Sequence, residues 1–142
     1  MPAEAVVDAS VLAAAFFPEE HSDTARRWLA PGRRLIAPDL LRVEVASIAA
    51  KKAWLGQTPR ATCDRAVGDI DLFVSDFFGD SALTQGAYAL ARDHRFSAYD
   101  ALYLALAVRH DLPVVTFDAK LAARASAANL AKRVLDLGSA DV

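Results

Sequence analysis

The feature that most constrains the fold is a regular alternation of short apolar segments with longer segments of helix-forming composition. The segments with the length and composition of buried strands are AVVD, RLIAP, LPVVTF and RVLDL. Short strands that are mostly apolar and are joined through helices pair in parallel, with helices covering both faces of the sheet. The sequence therefore predicts an α/β fold.

The stretches between these strands have the composition and the end signals of helices. SVLAAAFF follows the first strand, EEHSDTARRWLAPG stops at Pro31-Gly32, and DLLRVEVASIAAKKAWLG closes at Gly56. In TPRATCDRAVGDIDLFVSDFF, Thr58-Pro59 fits a cap followed by a proline in the first helical turn. The remaining helices are predicted in DSALTQGAYALARDHRF, SAYDALYLALA and DAKLAARASAA. This interpretation places no strand between RLIAP and LPVVTF.

The size of the chain suits one compact domain over 1–142. Apolar residues make up 54% and charged residues 24%, a balance typical of globular proteins. No apolar run approaches the roughly 18 residues of a membrane span, and the opening MPAEAVVDAS has no basic segment leading into a signal-type core. We therefore expect a cytoplasmic protein without a membrane partner. The single Cys63 agrees with a reducing compartment.

The overall charge argues against a protein that holds nucleic acid by a general positive potential, since the formal net charge is −2. A polyanionic partner would need local basic groups or a bound divalent metal. The basic groups available are Arg26-Arg27, Arg33-Arg34, Lys51-Lys52, Arg92 and Arg95. On helix faces such residues are usually solvated surface.

Two acids directly follow predicted strands. Asp8 ends AVVD, and Asp118 follows LPVVTF. Ligands of an open parallel sheet bind beyond the carboxyl ends of the strands, so these two side chains are candidates for one shared site. Each also fits a helix N-cap, because Asp is favoured where a helix begins.

Two further acids, Glu44 and Asp100, lie on apolar faces of predicted helices. The residues three and four positions from Glu44 are Leu40, Leu41, Ser47 and Ile48, and the corresponding neighbours of Asp100 are Phe96, Tyr103 and Leu104. An unpaired carboxylate on a buried face is costly unless a cation compensates it, and no Lys or Arg in its own turn serves Glu44. For Asp100 the alternative is a capping box with Ser97.

Acids from separate segments suggest a shared positive partner, and a hard divalent cation is the chemical match. Mg²⁺ and Mn²⁺ prefer oxygen ligands, and Mg²⁺ is typically held by a few carboxylates while it keeps several waters. Neither Cys63 nor the scattered His21, His94 and His110 has zinc-like spacing. A metal held by carboxylates activates water and stabilises an in-line displacement at phosphorus. The pattern thus indicates metal-dependent hydrolysis of a phosphate ester.

These motifs resemble those of PIN-domain proteins of the VapC type, the toxin ribonucleases of type II bacterial toxin–antitoxin pairs. The resemblance rests on VVDASVLAA, LRVEVASIAAK and SAYDALYLALAVRHDLPVVTFDAKLA, in this order and spacing, and covers nearly the whole chain. It implies a PIN-like three-layer α/β/α sandwich around a parallel sheet of four to five strands. It also implies an acidic site that cleaves RNA with Mg²⁺, or with Mn²⁺ in its place.

The resemblance implies roles for individual residues as well. The family's acids, which are catalytic and bind the metal directly or through water, fall on Asp8, Glu44, Asp100 and Asp118. Asp8, Asp100 and Asp118 are favoured as inner ligands, and Glu44 is an alternative holder of the attacking water. The family's accessory hydroxyls, which orient a carboxylate or a metal-bound water, fall on Ser10 and Thr116. A cap and a strand hydroxyl are equally good interpretations of those two positions.

A cognate VapB-type antitoxin and a homodimer are further implications of the resemblance. The antitoxin would cover a groove and block the active site. Large apolar side chains near helix ends are candidates to line that groove, namely Leu12, Phe16, Phe17, Trp28 and Trp54. For each of them ordinary core packing is the favoured interpretation.

Two other functions remain open from the sequence. A phosphorelay receiver domain is also α/β and binds magnesium, but it needs adjacent acids after the first strand, where this chain has Asp8 followed by Ala9 and Ser10. A PIN-like module with an unused acidic site, acting only through its antitoxin, is the other. The RNA itself is not indicated beyond a general preference for unpaired loops, whose bases can be splayed out.

Overall fold

The computed structural model describes residues 2–139 and is organised around one parallel β-sheet. The strands are β1 (Glu4–Val7), β2 (Arg34–Pro38), β3 (Asp76–Phe78), β4 (Val114–Thr116) and β5 (Val134–Asp136). Their order across the sheet is β3-β2-β1-β4-β5, and every neighbouring pair is parallel. The predicted α/β class and the upper figure of five strands are confirmed.

Helices connect all the strands. Within residues 2–139 the α-helices are α1 (Ala9–Phe16), α2 (Ser22–Trp28), α3 (Leu40–Trp54), α4 (Arg60–Gly68), α5 (Ile70–Phe73), α6 (Asp80–His94), α7 (Ala98–His110) and α8 (Ala119–Ala127). A short 3-10 helix, Ala131–Arg133, precedes β5. As predicted, α3 closes at Gly56, which follows the C-cap residue Leu55 and has a φ of 65° that glycine adopts without strain.

The strand order places helices on both faces of the sheet. The chain runs outward from β1 through β2 to β3, then returns to β4 and β5 on the other side of β1. Because crossovers between parallel strands are right-handed, α1–α5 cover one face and α6–α8 the other. In agreement, α1 contacts α2, α3 and α4, whereas α7 contacts α6 and lies on β1, β2 and β4. The three-layer α/β/α sandwich is therefore confirmed.

The core lies on both faces of the sheet, which explains why the strands are apolar without alternation. Val6, Val7, Ile36 and Val114 are fully buried. Each such side chain contributes about 1.5–3 kcal/mol of transfer free energy when it is removed from water. No helix in the described part of the chain is long and apolar enough to cross a membrane.

Three of the five predicted groove residues belong to this core. Leu12, Phe17 and Trp28 are at most 1% exposed, so the core-packing interpretation holds for them. Phe16 is partly buried against the ring of Phe73, with ring centroids 5.6 Å apart. Only Trp54 among the five is largely exposed, at 82%.

Two details of the predicted elements are wrong. The strand β3 was not predicted, because three residues are too few to show a hydrophobic period. It is held at the sheet edge by pairing with β2 and by the Arg34–Asp76 ion pair at 2.5 Å. In addition, Pro59 is the N-cap residue of α4 rather than its first helical residue, which is Arg60.

Candidate active site

The four acids singled out in the sequence lie around one pocket at the carboxyl ends of β1 and β4. Asp8 follows β1 and Asp118 follows β4, whereas Glu44 lies in the second turn of α3 and Asp100 in the first turn of α7. The strand order reverses direction between β1 and β4, and open parallel sheets bind their ligands at such a point. The pocket has a volume of about 330 Å³ and is lined by Asp8, Ala9, Ser10, Glu44, Ser47, Ile48, Asp100 and Asp118.

Asp8 is held by two hydroxyl groups. Its Oδ2 accepts hydrogen bonds from Ser10 Oγ at 2.8 Å and from Thr116 Oγ1 at 2.7 Å. Asp8 occupies the N-cap position of α1, but among the described residues its side chain makes no capping bond to that helix. The capping interpretation is therefore correct for the position of Asp8 and wrong for its carboxylate.

The same two hydroxyls connect the ends of β1 and β4. Ser10 Oγ accepts a hydrogen bond from the Phe117 backbone N–H at 3.0 Å, and Thr116 Oγ1 accepts one from the Asp118 N–H at 2.9 Å. Each hydroxyl thus donates to Asp8 and accepts from the turn that follows β4. Orienting a carboxylate is one of the two tasks that the resemblance implied for Ser10 and Thr116.

Asp118 combines a capping role with a place on the pocket. Its Oδ1 accepts hydrogen bonds from the backbone N–H groups of Lys120 at 2.9 Å and Leu121 at 3.2 Å, so the N-cap interpretation is correct here. Its Oδ2 makes no hydrogen bond within residues 2–139. One carboxylate oxygen therefore fixes the start of α8 while the other remains available to a ligand.

Glu44 is held by a residue that the sequence analysis did not assign to the site. The hydroxyl of Tyr103, a residue only 2% exposed, donates to Glu44 Oε1 at 2.5 Å. Burial, together with the negative charges of Asp8 and Glu44, raises the pKa of Tyr103 far above its ordinary value, so the phenol stays protonated and donates. The available signal was the spacing of three residues from Asp100, which puts both side chains on one face of α7.

Asp100 has the least local support of the four acids. Ser97 Oγ accepts a hydrogen bond from the Asp100 backbone N–H at 3.1 Å, but among the described residues the Asp100 carboxylate accepts no return bond from the Ser97 backbone N–H. The capping box is thus only half formed, and the carboxylate lines the pocket. Its ion-pair partner is Arg124 of α8, whose Nη1 lies 3.9 Å from Oδ2. No sequence spacing had indicated Arg124.

The electrostatics of the pocket favour a cation. Burial raises the pKa values of Asp8, Glu44 and Asp100, and repulsion from neighbouring carboxylates adds to each increase. Hydrogen bonds from Thr116 and Ser10 to Asp8, and from Tyr103 to Glu44, act in the opposite direction. Because the ionised carboxylates are disfavoured where they lie, a positive ion among them would be strongly stabilised.

The donor set fits a hard divalent cation. All four groups offer carboxylate oxygens, the ligands that such ions prefer. Within residues 2–139, no three His, Cys, Asp or Glu side chains lie close enough together to hold one ion in their present positions. An ion of this kind is often bound through only one or two carboxylates and several waters, for which the pocket has room.

Comparison with known proteins identifies the family. The family model described as "PIN domain" matches residues 5–127. The chain therefore belongs to the PIN-domain family, whose VapC-type nucleases generally depend on a divalent metal. The phosphorelay receiver, an alternative left open by the sequence, is not supported by this match.

Individual relatives place the chain among the VapC-type members. It is 34% identical over 119 residues to "Ribonuclease VapC3" of Pyrobaculum aerophilum. The aligned residues cover 82% of this chain and 91% of that protein. The crystal structure of PAE2754, also from Pyrobaculum aerophilum, is 26% identical with a TM-score of 0.68, over 85% of this chain and 78% of that one. A toxin–antitoxin complex from Klebsiella pneumoniae shares the fold, with 21% identity and a TM-score of 0.63 over 84% and 90% of the two chains.

Proposed function

We propose that this protein is a metal-dependent endoribonuclease that hydrolyses RNA phosphodiester bonds as the toxin of a toxin–antitoxin pair. The observation that carries the proposal is the meeting of four carboxylates, from two strand ends and two helices, on one pocket. Membership of the PIN-domain family supports the reaction class, and a relative with 34% identity is a ribonuclease by name.

In this proposal the metal is Mg²⁺, with Mn²⁺ able to replace it. Asp8, Asp100 and Asp118 would hold the ion, and Glu44 would bind it through water or hold the attacking water. When bound, the ion supplies a more acidic water and compensates the charge that develops on the phosphate. The other residues of the chain fix these acids. Ser10 and Thr116 orient Asp8, and Tyr103 orients Glu44.

From the VapC-type assignment we also infer a cognate VapB-type antitoxin as the protein partner and RNA as the substrate. We further propose that residues 1–142 form a single nuclease domain that acts in the cytoplasm as a homodimer. Light scattering of the purified protein, alone and with its antitoxin, measures the oligomeric state directly.

The deciding experiment is cleavage of total cellular RNA by purified, antitoxin-free protein in Mg²⁺, in Mn²⁺ and in EDTA. Asp100→Asn is compared with Asp111→Asn, a matched control at the other end of α7, where the side chain is 89% exposed and φ is 53°. Asparagine tolerates that backbone conformation. We expect discrete fragments that require metal, persist in Asp111→Asn and vanish in Asp100→Asn.

Folded protein that cuts no RNA under any metal would contradict the proposal and favour the module with an unused site. Equal cleavage by Asp100→Asn would show that this residue is only the capping-turn residue suggested by its neighbour Ser97. End mapping of the fragments identifies the substrate if cleavage occurs.

A further inference from the structure

A second pocket, of opposite charge, lies beside the acidic one. It has a volume of about 390 Å³ and is lined by Asp93, His94, Arg95, Arg124, Ala127 and Ala128. These residues come from the end of α6, from the turn that follows it, and from α8 with its C-cap residue Ala128. Arg124 joins the two pockets, because it lines this one and lies 3.9 Å from Asp100, which lines the other.

The basic pocket has cations that no acid in the described part of the fold fully compensates. Among those residues Asp93 is the single acid in its lining, and Arg92 neutralises it through contacts of 2.7 Å and 3.1 Å. Arg95 makes no salt bridge within residues 2–139. Its charge is therefore available to a ligand.

The contact between Arg124 and Asp100 leaves the guanidinium available as well. At 3.9 Å the two groups are beyond hydrogen-bond distance, and their side chains are 56% and 30% exposed. Exposed pairs of this kind contribute only about 0–1 kcal/mol. The planar set of N–H donors on an arginine matches two oxygens of a phosphate, which gives a stronger, charge-assisted contact.

We propose that Arg95 and Arg124 form a subsite for a backbone phosphate of the RNA strand, next to the phosphate that lies in the acidic pocket. This inference rests on the proposed ribonuclease function. The strand needs such a subsite because the net charge is −2 and the cleavage pocket itself is acidic, so both repel RNA. Contacts to phosphates fix the position of a strand without reading its sequence. The subsite therefore serves affinity and placement, and base preference arises elsewhere.

The test measures binding without cleavage. A short fluorescein-labelled oligouridylate is titrated with the protein in EDTA, and fluorescence anisotropy gives the affinity over a series of salt concentrations. The variants are Arg124→Ala and Arg95→Asn, the latter because Arg95 has a φ of 60° that asparagine tolerates. Arg26→Ala is the matched control, since Arg26 is 55% exposed and lies 3.6 Å from Asp23, much like Arg124 and Asp100.

We expect each subsite variant to bind RNA roughly tenfold more weakly. The dependence of log affinity on log salt should become shallower by about 0.7 for each phosphate that the variant no longer neutralises. Arg26→Ala should bind like the parent. With metal present, Arg95→Asn should raise KM and leave kcat close to that of the parent, and Arg124→Lys should recover part of the affinity that Arg124→Ala loses.

Equal affinities and equal salt slopes for parent, subsite variants and control would overturn the subsite, and so would an absence of measurable binding by the parent in EDTA. A fall in kcat for Arg124→Ala without any change in RNA affinity would show that Arg124 acts through Asp100 instead. Failure of the proposed ribonuclease function is distinguished by the cleavage assay, because the parent protein would then cleave no RNA with any metal.

Discussion

The two halves of the acidic pocket are built differently. In the strand-end half, Asp8 accepts hydrogen bonds from Ser10 and Thr116, and Asp118 accepts them from Lys120 and Leu121. In the helix half, Glu44 accepts one from Tyr103, and the Asp100 carboxylate accepts none within residues 2–139. The carboxylates of the strand-end half are thus held by more hydrogen bonds than those of the helix half. Substitutions in the two halves therefore test whether the better-held acids matter more for activity.

Replacement of Asp8 by Asn tests the strand-end half most directly and should have the largest effect. The change keeps the shape of the side chain and removes one negative charge from the pocket. Since loss of a group that merely orients a metal ligand costs about 10–100-fold, loss of Asp8, a proposed ligand, should lower the rate of RNA cleavage by more than about 100-fold. Rates measured in Mg²⁺ check this, with Asp23→Asn as the control because its side chain is 92% exposed. A loss in Asp8→Asn no larger than the loss in Thr116→Val, which removes only one of the groups that orient Asp8, would contradict a direct role of Asp8.

Replacement of Thr116 by Val removes one of the hydroxyls that fix Asp8. The partly buried Asp118 N–H also loses its acceptor, so we expect a cleavage rate lower by about 10–100-fold and a free energy of unfolding lower by about 1 kcal/mol. Cleavage assays and urea unfolding measure the two effects. Thr116→Ser should restore both, and Thr84→Val, which removes an exposed hydroxyl bonded to the Asp80 carbonyl, should change neither.

Replacement of Tyr103 by Phe makes the matching change in the helix half. The ring still fills its buried position, and Glu44 loses its hydrogen-bond donor but keeps partial access to water. We expect cleavage to fall about tenfold or less, with a smaller effect on stability than in Thr116→Val. The same two assays apply, with the exposed Tyr88→Phe as control. If the loss exceeds that of Thr116→Val, the better-held acids do not matter more for activity.

The smallest expected effect is the pH dependence of the difference in the free energy of unfolding between Asp8→Asn and the parent, measured in EDTA. The folded chain raises the pKa of Asp8 above the ordinary 3.8, so the folded state binds more protons than the unfolded state once the pH exceeds that value. The contribution of Asp8 to the free energy of unfolding therefore falls as pH rises through this interval. Relative to the parent, Asp8→Asn should gain stability toward neutral pH and gain none below 3.8. The gain is about 1.4 kcal/mol for each tenfold increase in the proton affinity of the carboxylate.

Urea unfolding of parent and variant over a range of pH measures this difference. Addition of Mg²⁺ should reverse it, since the parent then gains a ligand that the variant binds less well. A stability difference that does not change with pH would mean that Asp8 is not destabilised by its surroundings.

Most of the fold was predictable because the sheet is buried on both faces. Such strands must be apolar throughout, and RLIAP was predicted with the same bounds that β2 has, Arg34–Pro38. The strand β3 was not predictable in this way, since its three residues are at most partly buried and depend on tertiary pairing with β2. Local composition cannot reveal a strand of that kind.

The meeting of the four acids on one pocket was predictable for a related reason. Glu44 is a charged residue at a position that its apolar neighbours on the helix predict to be buried, and this mismatch is visible in the sequence alone. Tyr103 was missed because a buried tyrosine on an apolar face fits the core equally well, and only its contact with Glu44 distinguishes the two cases. Arg124 was missed because its proximity to Asp100 arises from the packing of α8 and not from spacing along the chain.

The pairing of β1 with β4 joins Val6 to Val114 and Val7 to Val115, across most of the length of the chain. Asp8 therefore gains its Thr116 hydroxyl, and the pocket gains Asp118, only after the later part of the protein has been made and has docked beside the first strand. A chain that has been synthesised only as far as β4 contains Asp8 but lacks Asp118, the other acid of the strand-end half. For a protein proposed to cut RNA, the four acids can therefore meet on one pocket only after translation has passed Asp118.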